Sequence, residues 1–142
     1  MTRGLVACVL CALVVSAVKA QDIHRDSLVG VWTCKEAEIP SGVSISKEEM
    51  QGVKTLQQGI VNSQFSFNTN SLFEWRFPAG APKVFTELLF LNKQKWSFDQ
   101  QHNLIHIGAP KENLMQISVH KKHGAMYFII TDMPLLLRVE KE

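Results

Sequence analysis

The chain has 142 residues, with 15 lysine and arginine residues against 13 aspartate and glutamate residues, and a formal net charge of +2. A balance this even shows none of the strong basic excess that nucleic-acid-binding proteins use, so we expect no nucleic-acid partner. The length is sufficient for one domain with its own hydrophobic core.

The first twenty residues predict a cleavable export signal. Arg3 supplies a positive start, residues 5–17 form an apolar run, and Val18-Lys19-Ala20 has the small residues of a cleavage site. A run of thirteen apolar residues is too short to be a membrane anchor, which needs about 20. Cys8 precedes the apolar stretch that a lipidation box should follow. We therefore expect a signal peptide at 1–20, one domain at 21–142, and a secreted or periplasmic protein that does not span the membrane.

Cleavage at this site changes the composition of the remaining domain. Arg3 and Lys19 are removed, which leaves thirteen basic and thirteen acidic residues. Cys8 and Cys11 are removed as well, so Cys34 has no partner for an internal disulfide, which is unusual in a small secreted domain. Cys34 could be a nucleophile, a dimerising thiol or a small buried hydrophobe, and its position on a predicted strand favours burial.

Beyond the signal, apolar and polar residues alternate along short segments, a pattern typical of strands with one buried face. The alternating apolar residues are Phe65 and Phe67; Phe73, Trp75 and Phe77; Trp96 and Phe98; Ile105 and Ile107; Met115, Ile117 and Val119; Met126, Phe128 and Ile130; and Leu135, Leu137 and Val139. With the segment 28–35, this gives about eight or nine strands. The short connections predict an antiparallel meander, because parallel strands need long crossovers.

One segment after the first strand has helical spacing instead. Ser46 and Glu49 form a capping box, and a stripe of apolar residues follows at roughly helical intervals. The members of that stripe are Met50, Val53, Leu56 and Ile60. Because Gly52 and Gly59 interrupt it, we expect one short or broken helix that lies against the sheet.

A meander of this size must protect its edge strands, and closure into a barrel removes those edges, although a sandwich remains the competing arrangement. Gly30-Val31-Trp32 on the first strand, with Arg138 on the last, resembles the lipocalins and the wider calycin group. In that group a Gly-x-Trp at the barrel base packs under an arginine of the final strand. The resemblance implies an all-β, antiparallel up-and-down barrel in which Gly30, Trp32 and Arg138 form the structural base.

Two further features refine the resemblance. The helical segment after the first strand is similar to that of intracellular fatty-acid-binding proteins. Leu28-Val29-Gly30-Val31-Trp32 resembles the Leu-x-Gly-x-Trp start of small exported bacterial lipocalin-like proteins, the most similar group. The domain at 21–142 departs from secreted lipocalins because it has neither their common disulfide nor their other family motifs, and these absences leave the identity of a ligand open.

The resemblance implies a small, mainly apolar ligand inside the barrel. The candidate ligand-binding residues are Phe65, Phe67, Phe73, Trp75, Phe77, Trp96 and Phe98. The same rings could instead be plain core, since an eight-stranded barrel is just wide enough for side chains or one small ligand. By alternation with Phe73 and Trp75, Glu74 and Arg76 should face outward. They would form a polar anchor inside the barrel only if this alternation were reversed, with Glu74 and Arg76 on the inner face.

The histidines do not predict a metal site. His102 and His106 would lie about 13 Å apart along a strand, too far to share one ion. His120 and His123 flank two lysines at a hairpin tip, and His24 lies in a segment expected to be flexible. We therefore expect no metal and no other cofactor.

No catalytic motif accompanies these residues. The sequence contains no Gly-x-Ser-x-Gly, no phosphate-binding glycine loop and no His-Glu-x-x-His, so a protein without enzymatic activity is expected. Two hypotheses follow. One is an exported barrel that binds a small apolar ligand. The other is a filled barrel that acts as a protein-interaction module, such as an inhibitor or an envelope or secretion accessory subunit, with segment 36–62 as its binding surface.

Overall fold

The computed structural model describes residues 23–142 and shows eight antiparallel strands closed into a barrel. The predicted all-β barrel with a helix after its first strand is confirmed, with eight strands; the predicted signal peptide lies outside the described residues. The strands are β1 (Gly30–Glu38), β2 (Gln64–Phe67), β3 (Leu72–Arg76), β4 (Gln94–Asp99), β5 (Leu104–Ile107), β6 (Met115–Lys122), β7 (Ala125–Ile130) and β8 (Leu136–Lys141). The helices are α1 (Arg25–Leu28), α2 (Lys47–Ile60) and a 3₁₀ helix (Lys83–Leu91).

Each strand pairs with the next one along the chain, and β8 pairs with β1 to close the barrel. Trp32 pairs with Lys141 at the lower end of this seam, and Glu38 pairs with Leu136 at the upper end. The pairing of β3 with β4 is the shortest in the barrel, with the register recorded for only two residue pairs. The wall is therefore least continuous between these two strands.

The alternation in the sequence corresponds to burial in the barrel. Ile117 and Val119 on β6, like Leu137 and Val139 on β8, are buried on the inner face. Arg76 faces outward and forms a 3.0 Å ion pair with Glu74, so these two residues do not provide a polar anchor inside the barrel.

The segment before β1 packs against the lower end of the barrel. Residues 25–28 form α1, and Leu28 is fully buried. The indole Nε1–H of Trp32 donates a 2.8 Å hydrogen bond to the Leu28 carbonyl. Helix α1 directly follows His24 and packs against the barrel through Leu28 and Arg25.

Helix α2 is continuous and begins where the capping box predicts. The Ser46 hydroxyl accepts a 3.2 Å hydrogen bond from the Glu49 backbone N–H. Val53 and Ile60 are buried along the predicted stripe. Gly59 is also buried, and it lies so close to the Phe85 ring that a Cβ there would stand 1.9 Å from Cε2. Gly59 therefore permits the contact between α2 and the 3₁₀ helix.

The 3₁₀ helix between β3 and β4 is not evident from the alternation. With three residues per turn, residues three apart share a face, and Phe85, Leu88 and Leu91 form the inner face. Leu89 and Phe90 lie on the other two faces and are 53% and 55% exposed. Within residues 23–142, none of the helices has the combination of length and apolar character that crossing a membrane requires.

Candidate functional site

Aromatic side chains fill the centre of the barrel. The rings of Phe65 and Trp75 stack with their centroids 4.7 Å apart. Phe128, on β7, meets Phe65 edge-on at 5.4 Å and Phe67 at 6.0 Å. Because these rings are fully buried and in contact with each other, they form the hydrophobic core at the centre of the barrel.

The predicted ligand-binding residues are divided between this core and two open pockets. Phe65, Phe67 and Phe73 are fully buried among other rings. Trp75 and Phe77 reach a pocket at the upper end of β3, while Trp96 and Phe98 reach a pocket beside β4. The structure therefore does not gather the seven aromatic residues around one interior cavity.

The first of these, which we call the mouth pocket, has a volume of about 450 Å³ and lies between the end of β3 and the 3₁₀ helix. Three aromatic rings stand in a row along its walls. The ring centroid of Phe77 is 4.7 Å from that of Trp75 on one side and 4.7 Å from that of Phe85 on the other. Leu89 lies at the exposed edge. The sequence analysis missed Phe85 and Leu89, although the spacing of Phe85, Leu88 and Leu91 could have indicated a helical face.

A few polar groups accompany these apolar walls. The side-chain Oδ1 of Asn92 accepts a 2.7 Å hydrogen bond from the Trp75 backbone N–H, which fixes the loop to β3. The Trp75 indole donates a 3.0 Å hydrogen bond to the buried Ser63 hydroxyl. Arg76 and Thr86 lie at the rim. Apolar walls with a few fixed polar groups are typical of small-molecule sites.

The second pocket, which we call the side pocket, has a volume of about 780 Å³ and lies along β4 and β5, beside the turn that precedes β3. It combines Trp96 and Phe98 with polar groups that include Ser97 and His106. Arg25 of α1 lies over the Trp96 ring, with Cζ 4.3 Å from the centroid, and donates a 2.9 Å hydrogen bond to the Ser71 hydroxyl. The contact fixes α1 to the barrel wall.

The arrangement expected at the barrel base needs a correction. Arg138 forms ion pairs with Glu36 and Glu140, at 3.3 and 2.8 Å, and these pairs raise the pKa of its guanidinium. The cation over the Trp32 ring is Lys141, whose Nζ is 5.7 Å from the centroid. Alternation along β8 explains the exchange, since Lys141 shares a face with Val139 and Arg138 does not.

Burial and local contacts shift the pKa of a few titratable groups among the described residues. Burial raises the pKa of the Cys34 thiol to about 11, against a lowering effect of its 3.4 Å hydrogen bond to the Glu36 carbonyl. Cys34 is therefore a neutral buried thiol. A hydrogen bond to His102 lowers the pKa of Asp99 at the exposed end of β4. Within residues 23–142, no three His, Cys, Asp or Glu residues are grouped so that they could hold a metal ion.

These features define a class of protein by architecture: an eight-stranded, antiparallel up-and-down barrel, which is consistent with a lipocalin-like fold. Comparison of the chain with protein-family models, with curated proteins and with solved structures found no match. The argument for function therefore depends on the geometry of the barrel and its pockets.

Proposed function

We propose that this protein is an exported, lipocalin-like barrel that binds a small, mainly apolar ligand in the mouth pocket. The observation that carries the proposal is the row of rings formed by Trp75, Phe77 and Phe85, which leads from the filled core to an open pocket of about 450 Å³. Pockets of about 300–1,000 Å³ with apolar and aromatic walls are typical ligand sites, and they are frequent at the mouths of barrels.

The interior packing supports a ligand at the mouth in preference to the centre. A ligand at the centre would have to separate Phe65, Phe67 and Phe128, whose contacts stabilise the core. A ligand at the mouth needs no such rearrangement, because Phe77 and Leu89 already border open space. The proposal assigns the protein a binding function without catalysis.

Export is part of the proposal and rests on the sequence of residues 1–20. A basic start, a short apolar run and a small-x-small site support cleavage after Ala20. N-terminal sequencing of the protein recovered outside the cytoplasm should give Gln21 as the first residue. Recovery of the chain in the cytoplasm with its first twenty residues intact would contradict export.

The ligand site can be tested with N-phenyl-1-naphthylamine, a neutral apolar probe whose fluorescence increases when water is excluded. We expect saturable binding to the wild-type protein. Leu89→Glu should weaken it by about tenfold or more, because the charge must be desolvated against the bound probe. Leu89 is 53% exposed, so the substitution should leave the fold intact, as a thermal melt can verify.

Phe90→Glu is the matched control. Phe90 lies next to Leu89 on the same 3₁₀ helix and is similarly exposed, but it does not line the mouth pocket. Phe90→Glu should bind the probe as the wild type does. Equal loss in both variants, or no saturable binding to the wild type, would contradict a ligand site in the mouth pocket.

A second candidate function, a protein-interaction module, is favoured by one observation. Val84, Leu89 and Phe90 project from the 3₁₀ helix with 45–55% of their surface exposed. Exposed apolar groups of this kind are typical of protein contacts. Three of the four large apolar side chains that are exposed among residues 23–142 therefore lie on the 3₁₀ helix, and the fourth, Val43, lies in segment 36–62, which the sequence offers as a binding surface. Affinity purification of the exported protein discriminates: a stoichiometric partner lost in Val84→Glu and Phe90→Glu, with probe binding unchanged, would support this function.

A further inference from the structure

The lower end of the barrel contains a third open pocket, which we call the base pocket. It has a volume of about 650 Å³ and lies between α1, the β6–β7 hairpin and the end of β8. The recorded pairing of β7 with β8 ends at Met126 and Val139, whereas β8 continues along β1 as far as Lys141. The hairpin tip and β8 therefore separate below this point, and the pocket occupies the space between them.

Two lysines occupy positions in this pocket that alternation assigns to the inner face. Lys121 follows Ile117 and Val119 on β6, and Lys141 follows Val139 on β8. On each of these strands, the inward-facing positions therefore change from a buried apolar residue to an exposed lysine at the base of the barrel. Both ammonium groups therefore belong to the same end of the barrel.

The charge in the base pocket is predominantly positive. Lys121, Arg138 and Lys141 line it, and the only carboxylate among the lining residues is that of Glu140. Glu140 is already bound to Arg138 at 2.8 Å. Neither lysine forms an ion pair with a carboxylate of the described residues, so their charges remain available to an anion.

An apolar wall faces these charges. Trp32 and Val139 are buried lining residues, and Met126 lies beside them. Lys141 spans both parts of the pocket, because its Nζ lies 5.7 Å from the Trp32 ring and donates a 3.1 Å hydrogen bond to the Ser27 carbonyl. A ligand that fits this combination has an anionic group attached to an apolar body.

We propose that the base pocket binds a small organic anion, with its anionic group between Lys121 and Lys141 and its apolar part against Trp32. This site is separate from the mouth pocket and does not depend on the proposed function. Charge-assisted contacts to ammonium groups supply the selectivity for anions, and the wall of Trp32, Met126 and Val139 supplies apolar contact.

The test uses 1-anilinonaphthalene-8-sulfonate, which is the neutral probe N-phenyl-1-naphthylamine with a sulfonate added. In the ¹⁵N-labelled protein, the indole N–H signals of Trp32, Trp75 and Trp96 report the base, mouth and side pockets respectively. The sulfonate probe should shift the Trp32 signal, and the neutral probe should not. Binding measured at Trp32 should weaken as salt concentration rises, because the contact is ionic.

Variants of the lysines complete the test. Lys121→Gln should weaken the sulfonate binding measured at Trp32 by severalfold, and Lys121→Gln with Lys141→Gln should weaken it by about tenfold. Lys122→Gln is the matched control, since Lys122 is the next residue, points outward and does not line the pocket; it should bind as the wild type does. An unshifted Trp32 signal, or equal affinity in Lys121→Gln and Lys122→Gln, would overturn the proposal. Loss of neutral-probe binding at Trp75 would count against the mouth pocket alone.

Discussion

The contact between α2 and the 3₁₀ helix can be tested with two glycines of the same helix. Gly52 and Gly59 both lie inside α2, but their surroundings differ. A Cβ added to Gly52 would meet nothing within 4 Å, whereas one added to Gly59 would stand 1.9 Å from the Phe85 ring. The change to alanine is the same at both sites, so the difference in effect measures the packing.

The two substitutions should change the free energy of unfolding in opposite directions. Alanine in a helix interior is favoured over glycine by about 0.8–1.0 kcal/mol, which should make Gly52→Ala stabilising by up to about that amount. In Gly59→Ala the same gain is opposed by overpacking. Ordinary carbon contacts are about 3.5–4.0 Å, so the ring of buried Phe85 must move by about 2 Å, and such overpacking typically costs about 1–3 kcal/mol. Subtraction of the gain from the cost leaves a net destabilisation of up to about 2 kcal/mol.

Equilibrium denaturation in urea, followed by tryptophan fluorescence, measures both values under the same conditions. Equal slopes of the two transitions would show that the comparison reflects the native state. The neutral probe supplies a second readout, because Phe85 lines the mouth pocket and its displacement in Gly59→Ala should weaken binding. If Gly59→Ala is as stable as Gly52→Ala, the close packing of α2 on Phe85 is refuted.

The remaining predictions concern the core, the base and the thiol. Phe128→Ala should destabilise the barrel by about 3–5 kcal/mol in chemical denaturation, and outward-facing Tyr127→Ala clearly less; equal effects would contradict the filled interior. Trp32→Ala should cost about 3–5 kcal/mol, and Arg138→Ala should cost clearly less, because its ion pairs are exposed to solvent; a Trp32→Ala loss below about 1 kcal/mol would argue against the buried base. Native Cys34 should resist alkylation by iodoacetamide at about pH 8 and react rapidly once unfolded. Burial raises the pKa of Cys34 from 9.0 to about 11. The stability of the wild type relative to Cys34→Ala should therefore decline as the pH rises from 9.0 to about 11, because the unfolded chain loses the thiol proton first. A stability difference that does not change with pH would contradict burial of the thiol.

The strands and α2 could be predicted because their signals are local. Strand burial repeats every second residue, so Phe65 and Phe67 indicate a buried face without knowledge of their neighbours. Ser46 and Glu49 likewise mark the start of α2 through a hydrogen bond within one turn. Such signals involve only a few neighbouring residues, and the elements that they predict are present in the fold.

The 3₁₀ helix was harder to predict for a physical reason. Residues 83–91 contain six apolar residues, so neither a period of two nor one of 3.6 stands out. The apolar positions three apart, Phe85, Leu88 and Leu91, form the buried face of the 3₁₀ helix. The mouth pocket depends on how this helix packs against β3 and α2, and no local pattern specifies contacts between such distant segments.

At the base of the barrel, alternation along β8 determines which cationic side chain lies over the Trp32 ring. Alternation with Leu137 and Val139 already placed Arg138 on the outer face, where it binds Glu36. Parity equally placed Lys141 on the inner face, over Trp32. The position of Arg138 was therefore available from the sequence, whereas the contact between Arg25 and Trp96 required the path of α1.

The central claim is that an apolar ligand binds at the mouth of a barrel whose centre is filled. The most direct measurement is a titration of the ¹⁵N-labelled protein with N-phenyl-1-naphthylamine while the three indole N–H signals are recorded. The account predicts a saturable shift of the Trp75 signal, with Trp32 unchanged, and in Leu89→Glu the same shift should need about tenfold more probe or beyond. No response at Trp75, or a Trp75 titration with the same midpoint in Leu89→Glu as in the wild type, would contradict it.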